Sequence, residues 1–500
     1  MTSFNKTGDR TAIAYRRPNI VWMCVTPMPN PYPYPPLQVF ERLQIDDGLL
    51  MTADLWRRAH GYHRQRHGFT FQSLYYPGII YGLEVATIPA PDQVPGPYRD
   101  GRWLEIQPGV AIDVAGRPIV VPEPLSFRVE LEPPPGESRW VYLTVRHVDP
   151  DTLRSSRGTA VVRPEQFRLV EKMTLDEADI ELCRIRLHSS ETGGAITLHR
   201  AADVFAPVAN ELDLRHRPRI CPRPDGIVRL AQLITDTPAD RAIAIQLQCL
   251  LKSIPSLYPH LSGDDDIDPI RDGSLIFSQH SATPLPDLIY TSWSTLQQLG
   301  AIATESLTTV LDQGGMLLVN AMAKDAGLES SYELRQELRT ALAELEQSPD
   351  VAVMRQQLAT ELAAFDREIH QKVQQLVNTL RSLLAPLGYN LTGDGAISPT
   401  HPLRLEPFLF GQWPLVDQVP ITVLQWEGVI LLIGDIASLW GPDETMQRSR
   451  SDIRTAQEFG VNLLLFAWQH HHLIQLQGGR GHPSPAASSD SLRDRIPPTP

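Results

Sequence analysis

The sequence predicts a multidomain α+β protein. A helix and a β-barrel or sandwich module come first, followed by an α/β domain carrying a helical hairpin as an insertion. Three observations lead there. Short apolar runs separated by turn residues fill the stretch up to about residue 205. From about Arg217 the apolar runs become near-continuous and alternate with helix-period segments, the pattern of strands buried on both faces in βαβ units. Residues 331–387 carry leucine stripes at helical spacing.

The elements follow in order. Residues 1–39 form a Pro-rich arm, with "TPMPNPYPYPPL" too poor in backbone donors for regular structure. The module at 40–205 opens with a helix over Ala53–His67, capped by Thr52 and stopped by Gly68. "GIIYGLEVATI" reads as one strand. "RWLEIQPGVAIDVAGRPIVVP" reads as two, turning near Gly116. "SFRVELE", "SRWVYLTVRHVD", "DIELCRIRLH" and "AITLHR" complete the series, with Val141, Leu143 and Val145 alternating as a half-buried strand requires.

The α/β domain spans 217–476. Its strands are "GIVRLAQLIT", "PDLIYTS", "GMLLVNA", "GVILLIGDI" and a terminal "VNLLLFAW"; its helices include "DRAIAIQLQCLLKSIPSLYP", "TESLTTVLDQG" and "RSDIRTAQEFG". In the insertion, Leu334, Leu338, Leu342 and Leu345 form one stripe, and Leu358, Leu362, Phe365, Ile369, Val373 and Leu376 another. Ser348 and Pro349 between them suit a new helix start. The sheet pattern continues on both sides, so the hairpin is expected to serve assembly while the domain closes without it. Residues 478–500 are polar and expected to be disordered.

A net charge of −13 argues against a general nucleic-acid binder. The four cysteines lie far apart with no CxxC pair, which fits a reducing, cytoplasmic setting. No stretch approaches the ~20 apolar residues of a spanning helix.

Candidate chemistry is sparse. His60, His63 and His67 share a helical face, but no carboxylate or cysteine completes a ligand set, and a partly buried face with Trp56 and Tyr62 is the favoured reading. His470, His471 and His472 would sit at a solvated strand end. Asp264, Asp265, Asp266 and Asp268 lack the later glutamate of a calcium loop. Cys249 falls in a helix pattern and reads as a small core hydrophobe. "IYTSWSTL" places Thr291 and Ser292 at a strand end without the glycines of a nucleophile elbow, and no phosphate-cradling motif occurs. No metal and no cofactor are expected.

Two resemblances add to this. "PDLIYTSWSTLQQLG", "LTTVLDQGGMLLVNA", "HPLRLEPFLFGQWP", "WEGVILLIGDIASLWG" and "AQEFGVNLLLFAW" resemble, in order, an uncharacterised bacterial family with a class I glutamine-amidotransferase-like fold. That implies a flavodoxin-like domain. The elbow cysteine of true amidotransferases is replaced by Thr291, Ser292 and Trp293, so the resemblance implies the fold without the chemistry. "DDGLLMTADLWRRAHGYHRQRHGFTFQSLYYPGIIYGLEV" followed by "IQPGVAIDVAGRPIVVPEPL" resembles a module of baseplate-associated components of contractile injection systems. The combination looks like cyanobacterial proteins of thylakoid-anchored, phage-tail-like particles.

This resemblance implies a non-catalytic structural component. Its partners would be baseplate, sheath and tube subunits, and it would form a ring in multiples of six. No nucleic acid is expected, and membrane contact would come only through partners. The alternatives are an amidotransferase-like hydrolase, with Ser292 or Thr291 as nucleophile and His401 or the His470 group as base, and a ligand-binding sensor on the same fold.

Overall fold

The computed structural model describes residues 34–149, 164–192, 194–264, 267–271, 285–298, 301–345, 352–416, 419–441 and 448–478. Most of the Pro-rich arm, the Ser348–Pro349 helix start, Asp265, Asp266 and the tail beyond Gly478 lie outside them. The protein is a mixed α/β molecule.

Helix α1 (Ala53–Leu74) starts at the expected cap, with Thr52 Oγ1 accepting from the Leu55 amide. It does not stop at Gly68. It runs on to Leu74 because Gly68 is a packing residue here: a Cβ at that position would lie 2.7 Å from the Ala115 carbonyl oxygen. The same approach constrains Gly116, where a Cβ would lie 2.4 Å from the Gly68 carbonyl oxygen.

The module's strands are β1 (Gly78–Gly82), β2 (Val85–Thr87), β3 (Trp103–Ile106), β4 (Gly109–Ile112), β5 (Pro118–Val121), β6 (Leu125–Arg128), β7 (Ser138–Val148), β8 (Gln166–Lys172), β9 (Ile180–His188) and β10 (Leu212–Asp213). They form three antiparallel sheets in the orders β1-β4-β5, β2-β3-β6 and β10-β9-β7-β8. One hydrophobic core serves all three. No closed barrel forms among the described residues.

"GIIYGLEVATI" is two strands in different sheets. The chain breaks at Gly82 and Leu83, which have φ of 71° and 59°. There a Cβ on Gly82 would lie 2.2 Å from the Pro108 carbonyl oxygen, so the crossing of two backbones sets the break. β8 was not among the expected strands. "AITLHR" makes only an isolated bridge between His199 and Glu211. Contacts of this unit run past residue 205: Ile79 N bonds Pro218 O at 2.8 Å, and Ile220 N bonds Ile79 O at 3.1 Å.

In the α/β part, "GIVRLAQLIT" divides into β11 (Gly226–Val228) and β12 (Leu230–Leu233), and β11 pairs in parallel with β13 (Leu261–Gly263). The main sheet adds β14 (Asp268–Ile270), β15 (Leu288–Ser292), β16 (Met316–Ala321), β17 (Thr422–Trp426) and β18 (Val429–Ile433). Its order is β14-β12-β15-β16-β18-β17, parallel except for edge strand β17.

Strand alternation divides the side chains between two cores. Leu288, Tyr290, Met316, Leu318, Ile430 and Leu432 pack with α2 (Pro238–Leu257) and α8 (Arg450–Leu476). Ile289, Leu317, Val319, Leu431 and Ile433 face the other way, onto α4 (Ala301–Asp312) and α6 (Ala352–Leu384). Both sheet faces are covered, so the strands read as unbroken apolar runs.

Two expectations fail here. "VNLLLFAW" is the middle of helix α8, not a terminal strand, and Val461 through Leu465 are all buried. An apolar run closed in on several sides has no polar face to reveal its helical period. The sheet's last position is taken by the unforeseen β17. The hairpin of α5 (Glu329–Leu345) and α6 is also not separable from the domain. Ile369, Val373, Leu376, Val377, Leu380 and Leu384 lie in one core with Val310, Leu317 and Leu431. The second half of α6 is thus the sheet's own covering helix, with Leu380 fully buried.

Candidate functional site

The carboxyl ends of parallel strands are where open α/β sheets bind ligands. Here the end of β15 is closed by local hydrogen bonds. Ser292 Oγ caps the short helix α3 (Trp293–Gln297), accepting from Thr295 N at 3.1 Å and lying 2.8 Å from Thr295 Oγ1. Thr291 is fully buried, and its hydroxyl donates to Ser292 O at 3.2 Å. Beneath them Asn320 Nδ2 donates to Tyr290 Oη at 3.0 Å, and burial raises the Tyr290 hydroxyl's pKa well above its ordinary value.

His401 is placed elsewhere. It caps α7 (Pro402–Leu405), its Nδ1 accepting from Leu403 N at 3.2 Å, and its ring lies 5.0 Å from Phe466 on α8. Burial lowers its pKa, with a hydrogen bond to Gln425 acting the other way. One helical turn beyond Phe466, His470 Nδ1 lies 2.8 Å from Gly314 O, just before β16 begins. His401 therefore sits toward the amino edge of the sheet and Ser292 at its carboxyl edge. The intervening strand spans roughly 13 Å at ~3.3 Å per residue. The candidate nucleophile and base are not brought together.

The three C-terminal histidines are on a helix and point different ways. His471 Nδ1 lies 2.6 Å from Asp287 Oδ1, while Asp287 Oδ2 accepts from Arg229 N at 2.7 Å. His472 stacks on Trp468 with centroids 5.2 Å apart. The His470 and His471 contacts pin α8 to the strand starts, so the solvated strand end expected from the sequence is replaced by a helix anchor. Asp264 pairs with Arg229 at 3.5 Å, and Asp268 lies in β14. Cys249 is half-buried on α2, where burial raises its thiol pKa. Among the described residues, no three His, Cys, Asp or Glu side chains gather as metal ligands would.

The N-terminal histidines do converge on something. Only Gly68 of α1 is fully buried, and His60, His63 and His67 are exposed rather than packed against the module. All three line a cleft of about 860 Å³ between α1, the arm at Pro35–Phe40 and the β4–β5 turn. That turn is rigid. Asp113 accepts from Ala115 N at 3.0 Å, Arg117 N at 2.8 Å and Arg117 Nε at 2.8 Å. Arg64 spans the cleft toward Asp149, at 4.0 Å. His147 lies on the far wall, its pKa lowered by burial and by nearby Arg117.

This lining offers cationic, apolar and carboxylate groups for holding a partner. The sequence signalled the α1 wall through its histidine spacing. It gave no sign of His147 or Asp149, which only the fold brings opposite. No family model matches the chain, and comparison with curated proteins finds no significant match.

Proposed function

We propose that this chain is a non-catalytic structural subunit at or near the baseplate of a phage-tail-like contractile injection system. One observation carries the docking part of this reading. The segment leading into α1 and the helix's first turn hold large apolar side chains outward: Leu37 and Val39 are each 94% exposed, Leu50 80% and Trp56 58%. Burying such a side chain contributes about 1.5–3 kcal/mol, and a short stretch of chain that exposes several of them favours a contact surface. The ordered blocks from "DDGLLM" to "GRPIVVP" supply the kind of machine through their resemblance to baseplate-associated modules.

In the same reading the α/β part is a flavodoxin-like, amidotransferase-like scaffold. The placement of β12 between β14 and β15, followed by β16, supports it, because this is the 2-1-3-4 order of that architecture. The subunit is then cytoplasmic and present in multiples of six. It touches baseplate, sheath or tube subunits and no nucleic acid, and meets the thylakoid membrane only through those partners.

A photo-crosslinking amino acid in place of Leu50 or Trp56, in cells that make the particle, tests this. The expected result is an adduct with a particle subunit. An adduct only with proteins outside the particle, or none, would overturn the reading.

A further inference from the structure

We infer that the cleft between α1 and the β4–β5 turn is a groove for an extended polypeptide segment bearing both acidic and apolar side chains. The inference deepens the docking reading of α1 and rests on it. The wall formed by α1 is rich in basic residue types. Arg57, His60, Arg64 and His67 recur at helical spacing, all four are exposed, and the last three line the cleft. α1 carries four arginines against the single acid Asp54, on a chain whose net charge is −13. A helix with this excess of arginines on an acidic molecule steers toward an anionic partner.

The other walls select among anionic partners. Pro36, Val39 and Phe40 of the arm make an apolar side. Asp149 and Glu165 stand on the far side. The evenly spaced phosphates of a nucleic acid would meet those carboxylates and leave the apolar side unused. Lipid headgroups would have to enter a walled cleft. An extended peptide alternates its side chains, so it can turn acids toward α1 and apolar groups toward the arm. A cleft of about 860 Å³ is within the size range of sites that enclose a ligand of a few residues.

The test selects a displayed library of short random peptides on the immobilised full chain, then measures the most enriched peptide in solution by fluorescence anisotropy. Enriched peptides are expected to combine Asp or Glu with apolar residues. Arg64→Gln should weaken binding about tenfold. Asp149→Asn should tighten it, because Asp149 competes for Arg64 from 4.0 Å away. A merely structural role for that contact would make both variants weaker.

Selection of peptides without acids, no selection, an unchanged affinity in Arg64→Gln, or tighter binding of single-stranded DNA or phosphatidylglycerol vesicles would each overturn the inference. The peptide measurement uses purified protein, so it fails independently of the particle. Peptide binding without a particle adduct leaves the groove and removes the particle. An adduct without acidic peptides removes the groove.

Discussion

Asp100 is gripped by two guanidinium groups, with Arg128 Nη2 at 2.5 Å and Arg102 Nε at 2.9 Å, and this ties β6 to the start of β3. Burial pushes its carboxyl pKa up, but the hydrogen bonds from Arg128 and Arg102 outweigh that and hold it at about 2. The folded value is depressed, so the stabilisation is fully present above the unfolded carboxylate value near ~4 and is lost as pH falls toward the folded value. Asp100→Asn should cost about 2 kcal/mol at neutral pH, with the gap to the parent closing as pH falls from about 4 to about 2. Urea titrations across that range check it; a gap independent of pH would contradict the assignment. Gly68 shows what residue-level reading misses. A glycine after a polar helix looks like a stop, yet here it admits a neighbouring backbone. Gly68→Ala should destabilise by about 1–3 kcal/mol in urea despite alanine's better helix propensity. Stabilisation would mean that α1 does not seat against the turn.

Elements were legible where an amphipathic pattern or a cap was complete. The helix pattern of "DRAIAIQLQCLLKSIPSLYP" announced α2, and the runs at β15, β16 and β18 announced the parallel sheet. They were illegible where burial removed the pattern, as in α8, or where context decided the role, as in α6. The leucine stripe of α6 is continuous, but its buried positions begin at Ile369, in the half that packs into the sheet's core; nothing in the stripe itself marks the change. Leu380→Ala should cost about 2–5 kcal/mol, measured by thermal or urea unfolding. Removing residues 340–361 through a short Gly/Ser joint should leave a cooperatively melting protein. Removing 329–387 should give aggregation, because the core around Val310 and Leu431 would lose its cover. A soluble, cooperative product from the larger deletion would mean that α6 is dispensable to the fold.

At the scale of the whole molecule, the order of the two parts and the parallel sheet followed from the sequence. The candidate catalytic groups were named one by one, but their separation across the sheet is a property of topology that no local motif carries. The histidines of α1 are the converse case. Their spacing was visible, while the arm and β-module walls that make them one side of a cleft come from residues far along the chain. We propose that the outward apolar side chains of the arm and of the start of α1 dock this chain into a larger particle. This is tested most directly by sedimenting the contractile particle from lysates of cells making either the parent chain or a variant with Leu37, Val39, Leu50 and Trp56 replaced by Ser. All four side chains are exposed, so the variant should keep its melting transition. The parent should co-sediment with the sheath, and the variant should stay in the supernatant. Co-sedimentation of both, or of neither, would contradict it.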